Sequence, residues 1–556
     1  MFPLYVNSFK ELLSSSNLII YFSLSVAIGI MLFLCSLKFL LALQQSGYRG
    51  RRYFKWLSSP ETPYLSRLMI LCLLGFLFFS VLCVCFAPLC GQTACSYIGF
   101  ISFFLFSCLY IRSESHVNVK VPLKKTKRLV RLCITFILVL VVFVFGFIIL
   151  LNYLAFLLAN EVFAMLRYAL LCGLPILTPY LLIVAYGINE PFEEVIRINI
   201  TKKATQKLDK SSVIKIAITG SYGKTSVKEI LKTILSQKFR VLASPYSYNT
   251  PMGIALTVKN LDSTHDIFIA EMGARYKNDI KILTEMVKPK IGILTGINNQ
   301  HLETMGSVDN VIKIKSELFE YMPPNGKGYF SIETEGAKTI YQNYGGEKYA
   351  VNVKNQTAYA TDVKRDENGM TFTLNLKGEE PIECHTVLLG THSVKNICLA
   401  SAVAKDLGLT KEEIRTGISR IKAIGHRLEL VPNNKGIVII DDSYNSNQDG
   451  ASAAMEVLSS FEGRKIVLTP GLVELGKEEN VANFNFGKTL AKHADKVIVI
   501  GKHNAEMIIN GLIEGGMDRE NISFCKTLNK GNELLNEMLR EGDVVLFEND
   551  LPDNYS

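Results

Sequence analysis

The first third of the chain contains long apolar segments separated by short polar connectors, and this pattern constrains the fold more than any other feature. Five segments approach the length of about 20 residues that a membrane-spanning helix needs. They cover residues 18–43, 68–89, 97–111, 132–158 and 162–188. Arginines follow the first segment where a signal peptide would have a small-residue cleavage site, so we expect this segment to be retained. The sequence predicts an α-helical membrane module over residues 1–188 with about five transmembrane helices.

The basic residues of the connectors predict how this module is oriented. Lysine and arginine favour the cytoplasmic side of a membrane when they lie in short loops beside a span. They concentrate in two connectors, at Arg49, Arg51, Arg52 and Lys55, and at Arg112, Lys120, Lys124, Lys125, Lys127, Arg128 and Arg131. This distribution predicts a multi-pass bacterial cell-membrane protein whose N-terminus lies outside and whose residues after 187 lie in the cytoplasm. The connectors are expected to contact anionic lipid head groups. Binding of an anionic lipid-linked substrate is the open alternative.

Charge and cysteine content exclude several classes of function. The formal net charge is +9, but the basic residues cluster beside the apolar segments and no nucleic-acid-binding motif occurs, so nucleic acid is not an expected partner. Nine of the twelve cysteines lie in the apolar third, where a thiol behaves as a small apolar side chain. Cys384, Cys398 and Cys525 lack metal-ligand spacing, so no structural zinc is expected. Whether Cys90 and Cys95 pair is left open.

A phosphate-binding loop is predicted where the soluble part of the chain begins. A polar, helical linker over residues 189–210 precedes an apolar strand at 213–219, the loop GSYGKTS at 220–226 and a helical pattern at 227–235. Backbone amides and a helix N-terminus hold phosphate in this context. Lys224 would contact the terminal phosphates and Thr225 would bind magnesium. Without other motifs, the alternative is a turn at a strand end that happens to carry a lysine.

A collinear set of motifs resembles the Mur ligase family, above all its D-alanyl-D-alanine-adding type. After the loop come residues 249–253 (NTPMG), 271–274 (EMGA), 298–303 (NNQHLE), 313–319 (KIKSELF), 390–396 (GTHSVKN), 425–429 (GHRLE), 441–447 (DDSYNSN) and 474–476 (ELG). The resemblance implies an α/β fold with a P-loop-type central ATPase domain over residues 211–424. It also implies a smaller Rossmann-like C-terminal domain over residues 425–556. The membrane segments take the place of the family's first domain, which binds a uridine-diphosphate sugar.

Three residues are predicted to hold metal together with Thr225. Glu271 ends an apolar strand at 265–270, and a carboxylate at that edge of a parallel sheet faces the usual ligand crevice, so it is a natural magnesium ligand. By resemblance, His301 would bind a second magnesium ion, and Lys315 would be carbamylated and help to hold that ion. Without the resemblance, His301 would be interpreted as a structural histidine and Lys315 as a solvated helix lysine. Lys224, Glu271, His301 and Lys315 form the predicted catalytic set.

The resemblance also assigns the nucleotide contacts. Asn396, at the start of an expected helix over 397–407, is similar to a family asparagine near adenine. The remaining expected contacts with ATP come from the loop and from the last domain, namely Gly220, Ser221, Gly223, Lys224, Thr225, Ser226, Arg427, Asp442, Tyr444 and Asn445. The cofactors implied are ATP and two magnesium ions.

The implied reaction activates a carboxylate as an acyl phosphate, which an amine captures as an amide. The expected partners are ATP, an amino acid or dipeptide amine, a membrane-associated or lipid-linked carboxylate acceptor and the lipid bilayer. Gln448 replaces a family proline and residues 547–553 (FENDLPD) replace a family KGSR segment, which leaves recognition of the amine open. A ligase for poly-γ-glutamate or a teichuronic-acid-linked peptide is the alternative. A membrane-tethered nucleotide-binding scaffold is the alternative that is not an enzyme.

Overall fold

The computed structural model describes most of the chain as two compact units, Met1–Ile196 and Arg197–Ser556. The description leaves out residues 1–13, 59–63, 116–121, 159–162, 164–166, 299–304, 367–368, 433–435, 444–447, 474, 476–477 and 549–556. The predicted residues His301, Tyr444 and Asn445, and most of the segment 547–553, lie outside it. Side chains between residues 86 and 96 are also left out, so pairing of Cys90 with Cys95 stays an open prediction.

In the described part of the first unit, all regular secondary structure is helical. Its α-helices are α1 (Ser15–Cys35), α2 (Leu37–Gln45), α3 (Gly50–Leu57), α4 (Tyr64–Ser115), α5 (Lys127–Leu158) and the first part of α6 (Thr178–Lys210). A 3-10 helix, Arg167–Leu177, precedes α6. Residues 189–210, the predicted polar linker, belong to α6, and the division between the units falls within them.

Helix α4 covers the second and third apolar segments and reverses direction between them. A straight helix would separate Arg67 from Glu114 by about 70 Å, since each residue adds 1.5 Å. Instead, Arg67 Nη1 lies 3.3 Å from Glu114 Oε1, and the rings of Phe78 and Phe106 are 5.7 Å apart. The two segments therefore lie side by side as antiparallel arms, and the connector expected between them is helical.

Three helical stretches among the described residues are long and apolar enough to cross a bilayer, namely Ser15–Cys35, Lys127–Leu158 and the run Arg167–Lys210. A shorter apolar helix covers Ser66–Leu82. The helices of this unit leave large apolar side chains exposed: Val142 is 70% exposed, Ile19 66% and, in the second arm of α4, Ile101 64%. A soluble protein rarely exposes so much contiguous apolar surface. The number of spans stays a prediction.

Two arginines of the second basic connector form ion pairs between α5 and α6. Arg131 Nη2 donates to Glu193 Oε2 at 2.8 Å, and Arg128 Nη2 donates to Glu190 Oε2 at 2.7 Å. Glu193 is buried. Because both helices carry the paired residues at a spacing of three, the pairs lie one turn apart and hold α5 against α6.

The second unit begins with a nine-stranded sheet in the order β2-β3-β1-β4-β5-β6-β7-β8-β9. Its strands are β1 (Ile214–Thr219), β2 (Val241–Ala243), β3 (Ile267–Glu271), β4 (Ile291–Leu294), β5 (Lys327–Ser331), β6 (Glu347–Val351), β7 (Ala358–Asp366), β8 (Gly369–Leu376) and β9 (Ile382–Thr386). The strands up to β7 pair in parallel and the last three pair antiparallel. The helices are α7 (Lys224–Leu235), α8 (Pro251–Val258), α9 (Asp279–Val287), α10 (Val308–Tyr321), α11 (Glu335–Asn343), α12 (Thr391–Asp406) and α13 (Lys411–Ser419).

A six-stranded sheet follows in the order β10-β11-β15-β12-β13-β14. Its strands are β10 (Glu429–Leu430), β11 (Val438–Asp442), β12 (Lys465–Thr469), β13 (Lys496–Ile500), β14 (Ile522–Cys525) and β15 (Val544–Glu548). The helices are α14 (Gln448–Ser459), α15 (Glu479–His493), α16 (Ala505–Glu514) and α17 (Leu528–Met538). Every pairing except β10 with β11 is parallel. The predicted α/β class of both domains is confirmed.

The central sheet is covered on both faces by apolar helices, which is why its middle strands are almost wholly apolar. Ile216 and Ile218 of β1 pack with α7 and α12 in one core, whereas Ala217 packs with α8 and α9 in another. Parallel strands end at the same edge of a sheet, so the loops after β1, β3 and β4 meet there. That edge carries the predicted phosphate loop.

Candidate functional site

The loop after β1 has the backbone that its glycines require. Gly220 has φ +149°, and a Cβ at this position would lie 2.1 Å from Thr295 Oγ1, the side chain that follows β4. Gly223 has φ +72° and caps the N-terminus of α7. A residue with a side chain would be strained at both positions. The loop therefore brings its backbone against β4 and directs the free amides of the first turn of α7 into the crevice.

Lys224 begins α7 and folds back over the loop. Its Nζ donates to the carbonyl oxygens of Gly220 at 2.7 Å and Ser221 at 3.2 Å. The pKa of Lys224 is lowered to about 8, chiefly by burial; the charge of Glu271 opposes this shift and the charge of Arg427 contributes to it. Within the described part of the chain, backbone carbonyl oxygens alone accept hydrogen bonds from this ammonium group, which suits a lysine that binds phosphate.

Thr225 and Glu271 are in direct contact, as the sequence predicts. Thr225 Oγ1 donates to Glu271 Oε2 at 2.9 Å, and Asn249 Nδ2 donates to Glu271 Oε1 at 3.3 Å. Glu271 ends β3 and is almost fully buried. A hydroxyl and a carboxylate oxygen side by side at a phosphate loop are the hard oxygen ligands that magnesium prefers. These two residues fit one magnesium ion.

Sequence reasoning missed Lys228, which lies one turn after Lys224 on α7. Its side chain is fully buried, its Nζ lies 3.3 Å from Glu271 Oε2, and it also donates to the carbonyl oxygen of Tyr246. Tyr246 itself is 82% exposed and has φ +47°. Lys228 therefore holds the predicted metal ligand and the loop after β2 together. The spacing of four residues from Lys224 was the available signal, since both side chains then share one helix face.

Lys315 lies on α10 and is buried. The alternative interpretation from the sequence, a solvated helix lysine, is therefore wrong. Burial lowers its pKa well below the ordinary value, and the charge of Lys224 lowers it further. Among the described residues no carboxylate lies within ion-pair distance of its amine. His301 lies outside the described residues, which by themselves hold no cluster of three metal-ligating His, Cys, Asp or Glu side chains. The second metal site stays a prediction.

Asn396 lies beside the phosphate loop. Its Oδ1 would be 3.1 Å from a Cβ placed on Gly223. It does not open its helix as expected, because α12 begins five residues earlier, at Thr391. Contact with adenine stays a prediction.

His392, on the same helix, was not singled out from the sequence, although it is part of the GTHSVKN motif. Burial lowers its pKa to about 4, and the charges of Lys395 and Arg427 act in the same direction.

The C-terminal sheet contributes charge to this site. Arg427 lies close enough to Lys224 and His392 to lower the pKa of both. It is flanked by His426 (φ +59°) and Leu428 (φ +48°), a left-handed backbone that is uncommon for such residues and clusters at functional sites. The structure thus brings Glu271, Lys315 and Arg427 within electrostatic reach of Lys224. Thr225 is in contact with Glu271.

Asp442, at the end of β11, is held next to Arg427. Its Oδ1 accepts a hydrogen bond from the backbone N–H of Leu428 at 3.2 Å. Burial raises its pKa to about 6, Asp441 adds to the rise, and Arg427 and the Leu428 amide oppose it. Asp442 is therefore ionised above about pH 6, next to an arginine, which is the form that accepts hydrogen bonds from a ligand.

Asp442→Asn should stabilise the nucleotide-free protein above pH 6. A carboxyl with a raised pKa binds its proton more tightly when folded, so the free energy of unfolding falls as the pH rises from about 4 to about 6. An amide avoids this loss and still accepts from Leu428. We expect the variant to gain up to about 3 kcal/mol at pH 7.5 and nothing near pH 4. Urea unfolding followed by circular dichroism measures this, with the exposed Asp518→Asn as control. A gain that does not depend on pH would contradict the assignment.

Comparison with known protein families agrees with this geometry. Residues 218–404 match the Mur ligase middle domain and residues 426–548 match the Mur ligase glutamate ligase domain, together more than half of the chain.

Named relatives are UDP-N-acetylmuramoyl-tripeptide–D-alanyl-D-alanine ligases. The protein of Buchnera aphidicola (subsp. Baizongia pistaciae) is 30% identical over 305 residues, which are 54% of this chain and 66% of the relative. That of Escherichia coli is 29% identical over 52% of this chain and 65% of the relative. That of Bacillus subtilis is 28% identical over 64% and 78%. The chain thus spans just under two thirds of the first two relatives.

Solved structures share the fold. MurF from Acinetobacter baumannii superposes with a TM-score of 0.58 at 23% identity, over 64% of this chain and 77% of that one. MurF from Thermotoga maritima in complex with ADP gives 0.57 at 23% identity, over 64% and 80%.

Proposed function

We propose that this chain, which belongs to the Mur ligase family through its middle and C-terminal domains, is an ATP-dependent carboxylate–amine ligase that releases ADP. One observation carries the proposal. The contact between Thr225 and Glu271 lies beside a loop lysine whose pKa responds to Arg427 of the C-terminal domain. Both domains thus supply positive charge that can offset a phosphoryl group in one crevice. A membrane-tethered scaffold that only binds a nucleotide would not need this arrangement.

The residues have distinct roles in this reaction. A substrate carboxylate oxygen attacks the γ-phosphorus of ATP, the bond to the β,γ-bridging oxygen breaks, and ADP leaves with that electron pair. An amine then attacks the acyl phosphate, phosphate leaves, and the nitrogen loses a proton to give the amide. Lys224 and Arg427 offset the negative charge on the transferred group, which is the main requirement of phosphoryl transfer. Bound at Thr225 and Glu271, magnesium would neutralise phosphate charge. Residues of the C-terminal domain would exclude water from the acyl phosphate.

We place the protein in the bacterial cell membrane as a multi-pass protein with its ligase region in the cytoplasm. Three long apolar helices and the exposed apolar side chains that they carry support this location. The basic connectors support the orientation because they favour the cytoplasmic face, where ATP is available.

The substrates follow from this location. The relatives' name specifies a UDP-N-acetylmuramoyl-tripeptide and D-alanyl-D-alanine. In this chain, apolar helices precede the ligase domains. We therefore propose a membrane-associated or lipid-linked envelope precursor as the carboxylate, and an amino acid or dipeptide as the amine. A poly-γ-glutamate or teichuronic-acid-linked acceptor is the alternative.

The test offers the purified full-length protein ATP and magnesium together with panels of amines and acceptors. The amine panel holds amino acids and dipeptides, including D-alanyl-D-alanine. The acceptor panel holds a lipid-linked muramoyl peptide in vesicles, its water-soluble UDP form and poly-γ-glutamate. We expect ADP release that depends on one pair, with the amide identified by mass. A product with the soluble acceptor alone would contradict the membrane-bound substrate but not the ligase. ATP binding without any amide would favour a nucleotide-binding scaffold.

A further inference from the structure

Apart from the crevice around Lys224, a cavity lies in the second unit, Arg197–Ser556, at the edge of the central sheet opposite to the predicted phosphate loop. It has a volume of about 500 Å³, within the range of small-molecule sites. Its walls are the last turns of α6 and the segments before β1 and β3, residues 203–213 and 261–265. Lys224 and Glu271 lie at the other ends of the same strands, so the proposed ligase chemistry does not account for this cavity.

The cavity has an excess of positive charge. Three lysines of α6 line it, at positions 203, 207 and 210, against one carboxylate, Asp262. Lys207 Nζ donates to the carbonyl oxygen of Lys259 at 2.9 Å. In the described part of the chain, Lys203 and Lys210 have no carboxylate within ion-pair distance. Two ammonium groups therefore remain available to a bound anion.

The acidic residues of this region are already engaged. Asp262 Oδ1 accepts from the backbone N–H of Thr264 at 2.9 Å and lies 2.9 Å from His265 Nδ1. Asp209, also on α6, pairs with Lys288, with both of its oxygens 2.9 Å from Nζ. The lysines at 203 and 210 are thus not neutralised by the carboxylates nearest in sequence.

The polar groups between the lysines suit a phosphate. Ser212 and Ser263 bring hydroxyl groups to the same cavity, and these can donate to phosphate oxygens. The Ser211 hydroxyl also lines the cavity, but it donates its proton to the carbonyl oxygen of Leu208 at 2.8 Å. Val213 and Leu261 are buried and form an apolar floor. Lysines and hydroxyls around an apolar floor can bind the charged group of an anion while its carbon portion contacts the floor.

We propose that this cavity binds a phosphate group carried on a small organic portion. Two sources share this chemistry, an anionic lipid head group and a soluble phosphoester. A lipid is a natural source because the cavity lysines belong to α6, the helix that also carries the last apolar run of the chain. The site is separate from the catalytic crevice, so it would bind its ligand whether or not ligation takes place.

The test uses the full-length chain in detergent with two probes. Native mass spectrometry measures retention of phosphatidylglycerol against phosphatidylcholine, and calorimetry measures binding of glycerol 1-phosphate. Wild type is compared with the double variant Lys203→Gln/Lys210→Gln. Its matched control is Lys411→Gln/Lys422→Gln, which removes the same charge from exposed lysines of the same unit. Circular dichroism and ATP binding establish that each variant is folded.

We expect the cavity variant to lose about tenfold or more in affinity for one probe, while the control variant resembles wild type. Loss of phosphatidylglycerol alone identifies a lipid source, and loss of glycerol 1-phosphate identifies a soluble one. If wild type and the cavity variant bind both probes equally, or if wild type binds neither, the proposal is wrong. None of these measurements requires amide formation, so their failure is separate from failure of the proposed ligase activity.

Discussion

Replacing Lys224 with alanine should lower ATP-dependent ADP release about 100- to 1,000-fold while leaving the protein folded. Among the described residues, the ammonium group donates to two carbonyl oxygens of its own loop and to no side chain, so its removal costs little packing. During phosphoryl transfer the same group would offset charge that develops on the transferred phosphate, and loss of one such group from a preorganised site typically costs this much in rate. Coupled measurement of ADP release and circular dichroism on the full-length protein separates the two effects.

The matched control is Lys232→Ala, which removes an exposed lysine two turns further along α7. It should retain wild-type turnover, because its charge lies away from the loop. A folded Lys224→Ala variant with near-normal turnover would exclude the assigned role of the loop, whatever the substrate proves to be.

The strand, glycine loop and helix of the predicted phosphate site could be predicted because their determinants are local. An apolar run, two glycines and a helical pattern follow one another within about 20 residues, and the structure has β1, the loop and α7 in that order. The contact between Thr225 and Glu271 was also predictable, since parallel strands end at a common edge. Helix boundaries were harder to predict. Helix α12 begins at Thr391, and the expected start near residue 396 is wrong.

What the sequence did not reveal depends on distant neighbours. A lysine on an amphipathic helix normally projects into water, and only the proximity of Glu271 and the Tyr246 carbonyl explains why Lys228 is buried. Arg427 lies near Lys224 although the two are far apart in the chain, and no local pattern indicates this proximity or the left-handed backbone at His426 and Leu428. The antiparallel arms of α4 likewise become visible only through contacts between its two ends.

Lys315 provides the second large expected effect, because its surroundings favour a chemical modification. Burial and the charge of Lys224 hold the pKa of Lys315 well below its ordinary range, so the amine is neutral over a wider pH range than a solvated lysine. A neutral amine nitrogen can attack the carbon of CO₂. The N–C bond forms, one C=O electron pair moves to oxygen, and the nitrogen loses a proton, which leaves a carbamate. This change replaces a buried neutral amine with an anion that attracts the Lys224 ammonium group.

Lys315→Ala is therefore expected to lower ligation about 100-fold or more, and added formate or acetate should restore part of the activity. A small carboxylate can occupy the space left by the side chain and supply the missing negative charge. Lys315→Met fills that space without a charge, so it should be inactive and should not respond to carboxylates. Lys313→Ala, which removes an exposed lysine two residues earlier on α10, should behave as wild type. Full activity of Lys315→Ala without added carboxylate would show that no anion is needed at this position. Rescue of the methionine variant to the same degree would show that carboxylates act elsewhere.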